Sequence, residues 1–572
     1  MSPPADDFEV RLGRIRDQRS AHVKPFVNQV LAAAQKAGGV GRGRTLKKGT
    51  FGRGRAASLT AGRALGSRSR IVVVKARVVR HGPARAPLAT HLDYLRRDGV
   101  DQDGRRGILF DAERDESDGA AFTGRCEDDR HHFRFIVAPE YAAELSDLKA
   151  FTRDLMNQAE RDLGTKLDWV ATAHWNTAHP HIHVLVRGRT DDGQDLVISR
   201  DYISEGLRAR AGELVTLELG PRTDLEIRRG LEAQVEAEHW TRLDSRLARE
   251  AAEADGLVDL RPARDGRSYD LRSAKISRLR KLERLGLAQP TGPARWRLST
   301  QAEPTLRALA RRNDVIARLH RAFADESAPD PSQFSLQPEA GAPPIVGRLA
   351  ARGLDDELTG SAYAVIDGLD GRKHHVSLPD LAAASDALIG AVVETYALRD
   401  GRTLIRVRSD LDVARQATAP GATWLDRRLL SREAEPLPAD GFGGQVRTAL
   451  DERVDHLVGR GLARREGRHV VFVQALLDRL RREELDGVAR RLVSETNLEH
   501  RPVTEGDHVG GAYRRRLDLA SGRFAMLDDG LGFQLVPWRP ELERFRDKQV
   551  GGVALPGGGV DWSFGRKRGL SR

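Results

Sequence analysis

The stretch "HIHVLVRG", His181–Gly188, constrains the fold of this chain more tightly than any other. Side chains along a strand alternate between the two faces, so residues two apart share one. Ile182, Val184 and Val186 are therefore expected in an apolar core, with His181 and His183 projecting together from the opposite face. Just upstream, "LDWVATAH" reads as a second strand that ends at His174, and "WNTAHP" as the connection. If the two strands pair as a hairpin, three imidazoles converge from neighbouring strands. That donor set suits a divalent metal with open positions. His179, next to Pro180, falls in the connection and is the weaker ligand candidate.

The pattern around this hairpin predicts an α+β domain. "RIVVVKARVVR" (70–80) is β-branched and reads as a strand. "APLATHLDYLRRDG" has Leu88, Leu92 and Leu95 at helical spacing and stops at Gly99. "RHHFRFIVAPE" alternates Phe133, Phe135 and Val137, a further strand. Leu145, Leu148, Phe151, Leu155, Ala159 and Leu163 then recur at three and four residues, a long amphipathic helix closed by Gly164. The order β-α-β-α-β-β predicts an antiparallel sheet with helices on one face.

Charge separates this domain from what precedes it. The chain of 572 residues carries a net charge of +11. Residues 1–80 hold 18 Lys and Arg against 4 Asp and Glu, so the remainder is slightly acidic. The segment "GRGRTLKKGTFGRGRAASLTAGRALGSRSR" mixes Arg with Gly and Ser and has no periodicity, which predicts a flexible basic arm over 1–69 that follows a phosphate backbone. A single cysteine, Cys126, excludes an internal disulfide and a cysteine metal site. The N-terminus lacks the apolar core of a secretory signal, and no run is long and apolar enough for a membrane span, so a cytoplasmic protein is expected.

Beyond the domain expected over 70–250 the chain turns helical and then β-rich. "SAKISRLRKLERLGLAQPTGPARWRLST" reads as a helix, a turn at Gly-Leu-Ala and a short hairpin. "RVDHLVGRGLARREGRHVVFV" repeats that phrase. Two winged-helix-like units are expected, over 257–324 and 436–500. Between them lie a Pro- and Ala-rich linker over 325–344 and a small β unit over 345–435. Within that unit "AVIDGLDGRKHHV" predicts a hairpin turning at Asp370-Gly371. His374 and His375 would point to opposite faces, a poor metal pair and an expected surface feature. A C-terminal β unit and a basic tail, "FGRKRGLSR", complete the chain over 501–572.

Metal chemistry on a phosphodiester still needs a nucleophile. Of seven tyrosines, Tyr94 lies in the helical phrase "HLDYLRRDG" that follows the first strand, with Arg96 and Arg97 beside it as phosphate contacts. The phrase "LDYLRRDG", then a strand, a helix and "HWNTAHPHIHVLVRG", resembles the conjugative relaxases of the mobilisation nuclease type, the T-DNA border endonuclease type among them. The resemblance covers about residues 70–220 and implies a relaxase with a long C-terminal extension. Tyr94 would be its nucleophile, His174, His181 and His183 its metal ligands, and Mg or Mn its cofactor. It implies nicking of one DNA strand at a transfer origin through a 5′-phosphotyrosine, reversible without ATP. It also implies relaxosome accessory proteins and a type IV secretion coupling protein as partners, and transfer to a recipient cell with the DNA. One departure stands out. Relatives carry acidic residues between the first and second histidines, where this chain has Asn176 and Ala178. Asp129, in "EDDR", and His179 are the candidates to orient a ligand imidazole in their place. Two other classes fit parts of the pattern. A rolling-circle replication initiator would share the chemistry, yet no G-x-x-x-x-G-K-[ST] loop marks a helicase motor. A non-enzymatic winged-helix regulator would leave the histidines structural.

Overall fold

A computed structural model describes residues 52–55, 57–58, 68–81, 88–97, 99–175, 180–262, 269–324, 330–336, 343–431, 436–467, 469–556 and 559–563. The chain divides into two units, Met1–Ile227 and Arg228–Arg572. No helix among the described residues is long and apolar enough to cross a membrane.

The first unit is built on a four-stranded antiparallel sheet of β1 (Val72–Arg80), β2 (His131–Pro139), β3 (Trp169–His174) and β4 (His181–Arg187), ordered β1-β2-β4-β3. Its helices are α1 (Leu88–Leu95), α2 (Gly119–Arg125), α3 (Leu148–Leu163) and α4 (Leu207–Leu219). One face is the core: Val72, Val74, Phe133, Phe135, Val137, Trp169, Ala171, Ile182, Val184 and Val186 pack against Phe151, Leu155, Ala159 and Leu163 of α3 and Leu207, Ala211 and Val215 of α4. The period-two reading of His181–Gly188 holds, with Ile182, Val184 and Val186 buried in this core. Helix α3 opens on an Asp147 cap and closes on Gly164 in the left-handed conformation (φ 64°), as its apolar spacing and terminal glycine predict.

The other face of the sheet is not bare, which corrects the expectation of helices on one side only. Leu92 and Leu95 of α1 and Phe122 of α2 cover Val170 and Leu185 there. Helix α2, "GAAFTGR", has too little apolar periodicity to be read from sequence, and an Asp118 side chain caps it. The basic arm is also shorter than expected. Arg53 bridges to Ile198, its backbone N–H donating to Val197 O at 2.8 Å and its carbonyl accepting from Ser199 N–H at 2.9 Å. Gly52 makes this approach possible: a Cβ there would stand 2.5 Å from Ser199 N. Residues 1–51, 56 and 59–67 lie outside the described residues.

The second unit contains a tandem repetition. Its first half runs α5 (Arg242–Glu253), β5 (Leu257–Asp259), α6 (Tyr269–Arg284), the hairpin β6 (Ala288–Gly292) and β7 (Arg295–Leu298), then the 21-residue helix α7 (Ala302–Ala322). A six-stranded sheet follows, from β8 (Phe334–Ser335), β9 (Val346–Asp356), β10 (Ser361–Gly368), β11 (Lys373–Leu378), β12 (Val392–Ala397) and β13 (Thr403–Ser409). Its second half has α8 (Trp424–Leu429), α9 (Gly441–Gly459), the hairpin β14 (Ala463–Glu466) and β15 (His469–Phe472), and the 21-residue helix α10 (Leu476–Thr496). Then come β16 (Glu499–His500), β17 (His508–Leu519), β18 (Gly522–Asp528), β19 (Gly532–Pro537), β20 (Gln549–Ala554) and β21 (Val560–Ser563). The two sheets, β13-β12-β9-β10-β11-β8 and β21-β20-β17-β18-β19-β16, have the same strand order, each ending in a two-residue strand added in parallel.

These elements move several expected boundaries. Helix α5 belongs with the hairpin unit rather than with 70–250, because Leu247 and Ala251 pack on Leu279, Leu282 and Trp296. The linker over 325–344 contains β8, whose Phe334 packs with Leu319, Phe323 and Val365. His374 and His375 are both buried, because β11 lies inside the sheet. The His374 ring bonds the Asp370 carboxylate at 3.0 Å, and His375 stacks on Tyr363 at 5.4 Å. The hairpin turn itself falls at Asp370-Gly371 as expected, with Gly371 at φ 78°. The basic tail after Ser563 lies outside the described residues.

Candidate metal centre

The hairpin pairing that the sequence left open is present: His174 is the register partner of His181, and Thr172 that of His183. The three imidazole centroids lie 5.4 Å (His174–His181), 4.3 Å (His174–His183) and 5.0 Å (His181–His183) apart. One ring nitrogen from each can be chosen so that all lie within 4.8 Å of one another. His174 and His183 are buried and His181 is half-buried. Neutral imidazoles at this separation form a donor set that could hold a metal ion.

The tautomer of one ligand is fixed by its surroundings. His174 Nε2 stands 2.8 Å from the carbonyl oxygen of Leu95. A carbonyl only accepts, so Nε2 carries the proton and Nδ1 is left with the lone pair that a metal needs. Orientation of a ligand imidazole through its second nitrogen is the role sought in an acidic residue. Here a backbone carbonyl at the end of α1 fills it, and no side-chain pattern could have revealed that. Trp175 N–H also donates to Val100 O at 2.7 Å, tying the end of β3 to the loop after α1.

Asp129 does not join this group. It is buried and paired with Arg187 (2.7 Å) and Arg189 (2.7 Å), at the opposite end of β4 from His183. An aspartate immediately before "RHHFRF" is drawn to that end because β2 runs antiparallel to β4 and pairs His132 with Arg187. His179, Asn176 and Ala178 lie outside the described residues.

Tyr94 lies one residue before Leu95 on the half-exposed side of α1, so its backbone is adjacent to the carbonyl that orients His174. The Arg97 guanidinium sits over its ring at 4.3 Å. Arg96 is half-buried beside it. One cation was missed. Lys75, exposed on β1, faces the histidine side in the row Lys75, Ile136, His183, Thr172 across three strand pairs, about 10 Å from His183 at the usual strand spacing. Strand alternation in "VVVKARVVR" carried the signal, because Lys75 interrupts an otherwise apolar run.

A second group of histidines at the other end of the same sheet face behaves differently. Arg134 Nε donates to His132 Nε2 at 3.0 Å, so His132 Nδ1–H donates to His81 Nε2 at 2.7 Å. Both nitrogens of His132 are thus spent, which disqualifies it as a ligand. Burial, reinforced by the Arg134 charge, holds His132 well below the ordinary imidazole range. Burial also lowers His81 and His131, the latter against its hydrogen bond to Leu196 O.

Comparison with known proteins bears on the other unit. Residues 275–404 and 395–571 match the family described as protein of unknown function (DUF3363), together more than half of the chain. The chain belongs to the DUF3363 family. The match begins within α6 and runs through the rest of both repeats, leaving out α5 and β5, and the histidine centre lies outside it. No curated protein and no solved structure matches the chain.

Proposed function

We propose that this chain is a relaxase: a DNA-nicking transesterase whose first unit cuts and rejoins one strand at a transfer origin, and whose second unit holds neighbouring duplex. The observation that carries the reading is the hydrogen bond from His174 to the carbonyl of Leu95. It joins the three-histidine cluster to the helix end that bears Tyr94. A divalent metal, Mg or Mn, held by His174, His181 and His183 would supply positive charge against the phosphate oxygens. Tyr94 supplies the nucleophile. Its Oη–P bond forms, the P–O3′ bond breaks, and the phenolic proton ends on the 3′ hydroxyl. One phosphodiester replaces another, so the reverse step rejoins the strand. Arg96, Arg97 and Lys75 offer charge to the incoming backbone. The excess of basic residues before position 80 adds to it. A helix followed by a two-stranded hairpin on a three-stranded sheet in the second unit supports the winged-helix part of this reading. Transfer with the DNA, relaxosome proteins and a secretion coupling protein belong to the same reading.

The test is a covalent adduct. The protein is incubated with Mn²⁺ and single-stranded oligonucleotides tiled across the DNA that flanks its own gene. A denaturation-resistant protein–DNA band is expected with one of them and should be absent from Tyr94→Phe. No band with any oligonucleotide, or an equal band from Tyr94→Phe, overturns the assignment.

A further inference from the structure

The two halves of the second unit share more than strand order. Thr241 and Thr423 each cap a helix with a reciprocal box to the aspartate three residues on, Asp244 and Asp426. Each aspartate is fully buried against an arginine from the following long helix: Arg278 Nε to Asp244 at 2.8 Å, and Arg453 Nε to Asp426 at 2.8 Å. The remaining guanidinium nitrogens cap carbonyls at matching positions. Arg278 donates to Val235, Ala237 and His239, and Arg453 to Ala417, Ala419 and Gly421. The sequences align through these points. "TRLDSRL" (241–247) matches "TWLDRRL" (423–429), and "RLRKLERLGLA" (278–288) matches "RVDHLVGRGLA" (453–463). A buried charge pair with every donor satisfied demands one geometry, so the equivalence of positions on α6 and α9 is secure.

That alignment makes the solvent faces of α6 and α9 comparable residue by residue. On α6 the exposed face carries Ser277, Arg280 and Arg284, with the exposed Glu283 beside them accepting from Trp296 Nε1 at 3.0 Å. Among the described residues neither arginine makes a salt bridge. At the equivalent positions α9 carries Glu452, Asp455 and Gly459, all exposed. The second hairpin spends its arginines internally: Arg465 pairs with Asp455 at 2.5 Å, and Arg464 pairs with Glu466. One copy thus presents two cations that make no salt bridge among the described residues, where the other presents Glu452 and an Asp455 already neutralised by Arg465. A phosphate backbone attracts the first and gains nothing from the second.

We infer that the first copy alone is the duplex-DNA contact, with Arg280 and Arg284 of α6 on the phosphates, and that the second copy has lost this role while keeping the fold. This deepens the proposed function, and rests on it only for the identity of the DNA. The occupant is B-form duplex, because a helix face enters a wide major groove and is excluded from the narrow one of A-form RNA.

The full-length protein is titrated against a short fluorescent DNA duplex of mixed sequence at several salt concentrations. Arg280→Gln with Arg284→Gln should weaken binding about tenfold and reduce the slope of log affinity against log salt by about two, one for each lost phosphate contact. Arg447→Gln with Arg490→Gln, which removes the same charge from exposed positions of the second copy, should leave both readings within about twofold of the wild type. Wild-type-like binding by the first variant, an equal loss in the second, or equal competition by duplex RNA would each overturn the inference. Adduct formation on single-stranded oligonucleotide is read from the same preparations. Its failure would sink the nuclease reading and leave the duplex result standing.

Discussion

His174 ends a strand, is fully buried, and donates its Nε2–H to a backbone carbonyl, so its ligand atom is decided before any metal arrives. His181→Ala combined with His183→Ala removes two of three donors. Calorimetric titration with Mn²⁺ should then show no binding; because His183 is buried, a wild-type far-UV circular dichroism spectrum is the check that the variant is folded. Retained Mn²⁺ binding would place the metal elsewhere. The pairing of His181 with His183 was legible from strand alternation, and His174 joined them only if the two strands formed a hairpin; the carbonyl behind His174 was not legible, since it belongs to the backbone of a helix some eighty residues away by count. The other histidines at this scale act on stability. His81, His131 and His132 are held below the ordinary value by burial, and His375 is held at about 4. In the unfolded chain the same rings take up protons near pH 6.5. Below that pH the unfolded state binds more protons, so stability present at neutral pH is lost as pH falls from about 6.5 toward the folded values. Melting temperature should drop between about pH 7.5 and pH 5.5, and His132→Asn should flatten that part of the curve. A flat wild-type profile would contradict the buried neutral network.

At the scale of elements, the hairpin β3–β4 depends on a close approach just past its end. A Cβ on Gly188 would stand 1.9 Å from the carbonyl oxygen of His131, so β2 and β4 could not keep their spacing. Gly188→Ala should cost about 3 kcal/mol, measured by urea unfolding, because backbone rather than a flexible side chain has to yield. The buried arginines set a second element-level dependence. Arg278→Met leaves Asp244 charged and the carbonyls of Val235, Ala237 and His239 uncapped, and should destabilise the second unit by about 3–5 kcal/mol. Arg453→Met should do the same through Asp426. A loss below about 1 kcal/mol in either would mean that the pair is not what fixes α5 or α8. Amphipathic elements such as α3 and the alternating strands were readable because one face is apolar and the other polar. Helix α2, the ordered turn at 52–55 and the burial of His374 and His375 were not. Each depends on a partner far along the chain: Asp118 caps a helix of weak propensity, Ser199 receives Gly52, and β8 covers β11.

Across the whole molecule, charge is distributed against the fold rather than with it. The repetition in the second unit could be glimpsed in the two Gly-Leu-Ala phrases, but its extent could not. Strand order, the paired 21-residue helices and the buried Arg–Asp geometry are conserved between halves whose surface residues have largely diverged. Cores tolerate fewer substitutions than surfaces, so internal homology survives where it is hardest to see in a linear reading. The basic excess sits at the opposite end of the chain. Residues 1–50 hold ten Lys and Arg against four Asp and Glu. If these charges meet a single strand, each neutralised phosphate contributes roughly 0.7 to the salt slope. Deleting residues 1–50 should therefore weaken single-strand binding and lower that slope by up to roughly four. Mn²⁺ binding at the histidines should be retained, because the ring partner described for His174, the Leu95 carbonyl, lies outside the deleted segment. The comparison is a fluorescence titration of a labelled oligonucleotide at several salt concentrations, full-length against truncated protein. An unchanged slope would mean that the N-terminal charge does not contact the strand, and the cations on the histidine face, Lys75 and Arg97 first, would then have to account for the affinity.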